Sequence, residues 1–176
     1  TLVLQTTHTQ AATQYRDQVF AKTLPNGLEM VLLPDHKAPV AVIQVWYRVG
    51  SRNEVPGKTG LSHMLEHMMF KGTERHAAEE YSRIIARQGG NENAFTSADA
   101  TTYFAKLAAD RMDILLELEA DRMRGLSLRA DEFEPERQVV AEERRMRVDD
   151  DPISYLRESL AATAYAIHPY RQPVIG

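Results

Sequence analysis

The stretch 91–107, NENAFTSADATTYFAKL, decides the fold. Its β-branched and aromatic residues fall in two runs around Ser97–Asp99, the pattern of two strands joined by a turn. The segments on either side read differently. HAAEEYSRIIARQGG, residues 76–90, carries Tyr81, Ile84 and Ile85 at helical spacing and ends in Gly89-Gly90. A helix is also expected over about 108–124, with Met112, Leu115, Leu116 and Met123 on its apolar side. Strands interleaved with helices in this way indicate an α+β fold, an antiparallel-rich sheet with helices packed on it.

VFAKTLPNGLEMVLLPD (19–35) has two short apolar runs around Pro25-Asn26-Gly27, a strong turn signal. APVAVIQVWYRVGS (38–51) reads as a long, largely buried strand. Towards the C-terminus a helix is expected from Pro135 to about Arg147. Asp151-Pro152 then opens a last helix, which His168-Pro169 stops after about Ala166. Residues 1–18, rich in Thr and Gln, read as a flexible arm without the charged and apolar regions of a signal peptide.

Acids and bases are mixed and the net charge is −4, so no basic surface asks for nucleic acid. No apolar run is long enough to span a membrane. Cysteine is absent, which removes disulfides, thiolate nucleophiles and Cys-ligated metal sites.

The chemistry lies in LSHMLEHMMFKGT, residues 61–73. Leu61, Met64, Leu65 and Met68 recur at helical spacing, with Thr59 as expected N-cap and Gly72 as stop. Side chains four apart share a helix face, so His63 and His67 can present two imidazoles to one metal ion. Glu66 sits beside them but turned aside, which suits a carboxylate that contacts a metal-bound water rather than the metal. Phe70 extends the same face and is expected to wall the site. A catalytic zinc needs a third ligand and keeps a fourth position open. His8, His36, His76 and His168 read as surface residues. EPERQVVAEERRMRV (134–148) offers better, because Glu136, Val139, Val140 and Glu143 fall at helical spacing. A buried face holds acids only where they meet a cation. Glu142 points towards Arg144, Arg145 and Arg147, which read as a solvated face.

At this point the sequence resembles the pitrilysin/insulinase family of zinc metallopeptidases, whose motif is His-x-x-Glu-His with a distant glutamate. The stretches that carry the likeness are GLSHMLEHMMFKGT, GGNENAFTS, LEADRM, VVAEERRMR and HPYRQPVIG, spread over about residues 19–176. The resemblance implies a metallohydrolase domain of the mitochondrial-processing-peptidase-like type that holds one zinc ion. It implies His63, His67 and Glu143 as ligands, Glu66 as general base, and Glu136 as a second catalytic carboxylate that supports the site from behind. Asn93 and Ala94 occupy the family's edge strand, where an unfolded peptide adds by backbone pairing.

Family members face a second homologous domain or partner subunit across a chamber. Residues 19–176 are therefore expected to be an incomplete N-terminal peptidase domain, the later domains being absent, that binds zinc but hydrolyses peptides poorly alone. The likeness to exported bacterial members implies a periplasmic or otherwise exported protein, with a cytoplasmic one as the alternative.

Three other readings compete. S-ribosylhomocysteine lyase shares a helical His-x-x-x-His but needs cysteines. A purely structural zinc needs four protein ligands. A non-catalytic partner subunit of a two-chain peptidase keeps the fold but loses the metal residues, which are all present here.

Overall fold

Residues 18–176 are described by the computed structural model and divide into two units, one ending at Pro39 and the other running Val40–Gly176. The flexible arm expected over 1–18 lies, but for Gln18, outside the described residues.

In the first unit, β1 (Phe20–Thr23) and β2 (Glu29–Leu32) pair antiparallel, Phe20 opposite Leu32 and Thr23 opposite Glu29. Gly27, at φ +86°, supplies the left-handed residue this turn requires, and Asn26 Oδ1 accepts from Leu28 N at 3.1 Å.

The second unit is built on a three-stranded antiparallel sheet in the order β3 (Val40–Tyr47), β5 (Thr101–Ala108), β4 (Asn91–Thr96). The hairpin expected over 91–107 is β4–β5, with Thr96 opposite Thr101. One sheet face carries Tyr103, Ala105 and Leu107 and is covered by helices. On it pack Tyr81 and Ile85 of α2 (Glu80–Arg87) and Leu115 and Leu118 of α3 (Met112–Gly125). This is the expected α+β arrangement. β3, expected to be largely buried, instead alternates, and Val40, Val42 and Trp46 on its other face remain exposed. An antiparallel sheet needs only one covered face.

α1 (Leu61–Met68) starts at Gly60, φ +84°, not at the expected Thr59 cap. Its first amides are held from outside the helix: Glu54 accepts from Gly60 N at 2.8 Å and from Ser62 N at 2.7 Å. Met64, Met68 and His63 turn inward, while Leu61 and Leu65 are exposed, so only half of the expected apolar stripe is used. α2 starts four residues later than expected, because Thr73 Oγ1 ties Arg75 N and His76 N into a turn.

On α3 the buried side is Leu115, Leu118, Glu119 and Arg122, and the expected Met112, Leu116 and Met123 stay exposed. The two charges can be buried because they satisfy each other. Glu119 accepts from Arg122 Nε at 2.9 Å and Nη2 at 2.7 Å, and from Tyr81 Oη at 2.7 Å. The Arg122 guanidinium lies over the rings of Tyr81 and Tyr103, 4.4 and 4.5 Å from their centroids.

α4 (Ala130–Arg144) begins five residues before the expected Pro135, its first turn stabilised by Asp131 and Glu132 at the positive end of the helix dipole. A π-helical turn, Arg145–Asp149, leads to α5 (Pro152–Ala164), which Asp151 caps through Ile153 N and Ser154 N. Among the described residues no helix is long and apolar enough to cross a membrane.

Candidate metal centre

α1 and α4 run against each other in opposite directions, which sets His63 beside Glu143, and His67 with Lys71 beside Glu136. The spacing explains the match. His63, His67 and Lys71 are successive i, i+4 positions, and Glu136, Val140 and Glu143 form the facing stripe of α4. Val139, expected on that stripe, is exposed instead.

Three donor atoms converge. Glu143 Oε2 lies 3.5 Å from His63 Nε2 and 3.4 Å from His67 Nε2. These separations are long for hydrogen bonds, and Oε2 is buried with no hydrogen-bond partner. They fit a shared metal better. Ligand atoms about 2.0–2.1 Å from a tetrahedral ion are about 3.3 Å from one another. All three ligand atoms lie within 4.8 Å of one another. The imidazole rings meet edge to face, with centroids 4.7 Å apart.

The surroundings prepare these groups. Burial, with His67 close by, pushes the His63 imidazole below its ordinary value and keeps it neutral, the form that binds a metal. Glu136 Oε1 is 2.7 Å from His67 Nδ1, and Glu136 Oε2 is 2.6 Å from Lys71 Nζ. Burial opposes the charge on Glu136, but the hydrogen bonds from Lys71 and His67 outweigh it and hold the carboxyl below its ordinary value. An ionised Glu136 makes His67 Nδ1 the donor, which leaves Nε2 as the lone pair facing Glu143. Arg147 Nη1 lies 2.8 Å from Glu143 Oε1 and turns Oε2 inward.

Glu66, Asn93 and Ala94 line the same open cleft as the three donors, a space of about 670 Å³ that Thr96, Arg147 and Pro173–Ile175 also border. Glu66 Oε2 accepts from Thr96 Oγ1 at 2.5 Å. Among the described residues β4 pairs with β5 alone, Asn93–Thr96 border the cleft, and Asn93 Oδ1 accepts from Ala94 N there at 2.8 Å.

Phe70 does not wall the cleft. Its ring packs on Tyr81 and Tyr103, 6.3 and 6.1 Å between centroids, with the Arg122 guanidinium 5.4 Å away. An aromatic cluster around a cation stabilises the ring more than an open, polar cleft does.

Three polar residues at the site fall outside the sequence expectations. Lys71 and Arg147 were within reach of the spacing argument, each four positions after a candidate ligand. Thr96 contacts Glu66 across thirty positions, with no local signal. Glu142, as expected, pairs with an arginine, Arg145, at 2.6 Å.

Comparison with known proteins gives the family. Residues 29–176 match the family model "Insulinase (Peptidase family M16)". The chain is 50% identical over 155 residues to a zinc protease of Helicobacter pylori, covering 88% of this chain and 35% of that protein. It is 33% identical over 154 residues to the Arabidopsis thaliana protein named "Probable mitochondrial-processing peptidase subunit beta", covering 88% and 29%. The crystal structure of a protease from Helicobacter pylori superposes with a TM-score of 0.87 at 50% identity, covering 90% of this chain and 38% of that one. The chain thus spans about a third of the length of these relatives. With an HxxEH helix, a facing glutamate and this fold, the chain belongs to the pitrilysin/insulinase family of zinc metallopeptidases, peptidase family M16.

Proposed function

We propose that this chain is the zinc-binding part of an endopeptidase that hydrolyses unfolded peptides. One observation carries the reading: the buried, unpartnered Glu143 Oε2 set between His63 Nε2 and His67 Nε2 at metal-ligand spacing. His63, His67 and Glu143 would hold one zinc ion, which supplies a Lewis acid and an acidified water at neutral pH. Glu66 is the general base: it takes a proton at its carboxylate and returns it to the leaving amine. Glu136 holds His67 in one tautomer. The free edge of β4 at Asn93 and Ala94 receives the peptide backbone, a mode that reads main chain more than side chain.

A second homologous domain or a partner subunit completes the site. Two facts support this: the chain spans about a third of its relatives' length, and the cleft as these residues form it is open. Alone, these residues bind zinc but turn over slowly, because water exclusion and further donors to the developing charge come from outside them. The compartment proposed is the periplasm or another exported location, by likeness to exported bacterial members; cell fractionation tests it.

The test is Glu66→Gln in the complete protein. It keeps one zinc per domain by metal analysis and loses hydrolysis of an unstructured peptide. Surviving turnover would remove Glu66 from its role. Zinc retained in a His63→Ala, Glu143→Ala variant would remove the metal centre.

A further inference from the structure

Glu66 reaches the cleft on a side chain with three rotatable bonds, and a proton acceptor on so long a tether needs something to aim it. Thr96 Oγ1 lies 2.5 Å from Glu66 Oε2. A second hydroxyl near it, Thr101 Oγ1, is 3.4 Å away and donates to Val49 O at 2.9 Å. With its own proton committed there, Thr101 can offer Thr96 only a lone pair. The proton of Thr96 goes to the closer and charged acceptor, Glu66. Thr96 is itself rigid: it is β-branched, half-buried and paired opposite Thr101 in the β4–β5 ladder.

We infer that Thr96 is a positioning residue for the reaction: its hydroxyl pins Glu66 Oε2, and Oε1 is the oxygen that takes the proton. The inference rests on the reading of Glu66 as general base. It also ties two parts of the site together, because β4 carries Thr96 and presents Asn93 and Ala94 to the cleft. The strand that receives a peptide therefore also sets the direction of the base.

The experiment compares Thr96→Val and Thr96→Ser with wild type and Glu66→Gln in the complete protein. Its readouts are kcat and KM on an unstructured peptide, zinc affinity by chelator competition, and crystal structures of the metal-free forms. Thr96→Val keeps the shape without the hydroxyl. It lowers kcat about tenfold or more, leaves KM and zinc affinity within about twofold, and spreads Glu66 over several rotamers. Thr96→Ser restores kcat and the single rotamer. Wild-type kcat in Thr96→Val, with Glu66→Gln inactive, overturns the positioning role and leaves the base reading standing. Loss of zinc in step with kcat makes Thr96 a fold residue and overturns the inference too. Turnover surviving in Glu66→Gln removes the base reading, and this inference with it.

Discussion

Glu136 Oε1 lies 2.7 Å from His67 Nδ1, while its other oxygen is held 2.6 Å from Lys71 Nζ. One carboxylate thus fixes the tautomer of a candidate ligand and is itself kept ionised by a lysine four positions further along. His63 has no such support: its Nδ1 is buried without a partner among the described residues. The two histidines should therefore respond differently to their surroundings. Glu136→Gln retains the shape but loses the charge that makes Nδ1 a committed donor. Zinc affinity is expected to fall about 10–100-fold, as for other carboxylates behind metal-bound histidines. Chelator competition measures it, and an unchanged affinity would show that packing alone orients His67.

The pH dependence of stability follows from the directions of two shifts. His63 is pushed below its ordinary value of 6.5 by burial and the neighbouring His67. As pH falls through 6.5 the unfolded chain takes up a proton that the folded one resists, so stability drops. Glu136 is net-lowered from 4.5: burial would raise it, and the hydrogen bonds from Lys71 and His67 prevail. Its contribution is present above 4.5 and is lost as pH falls through the lower folded value. Both groups act in the same direction. The urea midpoint of the metal-free protein should fall steadily on acidification from pH 7, and His63→Gln should flatten the part just below pH 6.5.

Away from the cleft, the buried pair Glu119–Arg122 holds together the aromatic cluster of Tyr81, Tyr103 and Phe70 on the covered sheet face. The two residues are only 4% and 3% exposed, so removing one partner strands a charge. Arg122→Met is expected to cost about 3–5 kcal/mol in urea unfolding. The double variant Glu119→Met, Arg122→Met should recover a large part of that loss, because no unpaired charge is left. A double variant as unstable as the single one would mean that the stacked guanidinium, not the charge balance, holds this layer.

How far the sequence could be read depended on whether a contact was local. The β4–β5 hairpin and the His63–His67 face follow from periods of two and four residues, and both were legible. So was the pairing of α1 with α4, through acids spaced two turns apart on a helix. Arg122 was not, because periodicity assigns charged residues to the outside, and only Glu119 with three aromatic rings from distant segments reverses that. Phe70 was misplaced for the same reason: its ring found that cluster instead of the cleft. Thr96 meets Glu66 only after the chain has folded back, so no spacing rule announces it.

Glu54 is the case where a long-range contact replaces an expected local one. Thr59 was the expected cap of α1, yet the first amides, Gly60 N and Ser62 N, are held by the Glu54 carboxylate at 2.8 and 2.7 Å. A carboxylate is favourable there twice over, as an acceptor for unpaired amides and as a negative charge at the helix N-terminus. His63 lies one residue beyond Ser62, so fraying of this turn would reach a candidate ligand directly. Glu54→Ala should cost about 1 kcal/mol of stability, within the range of cap deletions. Zinc affinity should fall with it, and Glu54→Asp should not restore either, because the shorter side chain cannot span both amides. If chelator competition shows Glu54→Ala with wild-type zinc affinity despite the lost stability, the metal itself is enough to hold the first turn of α1.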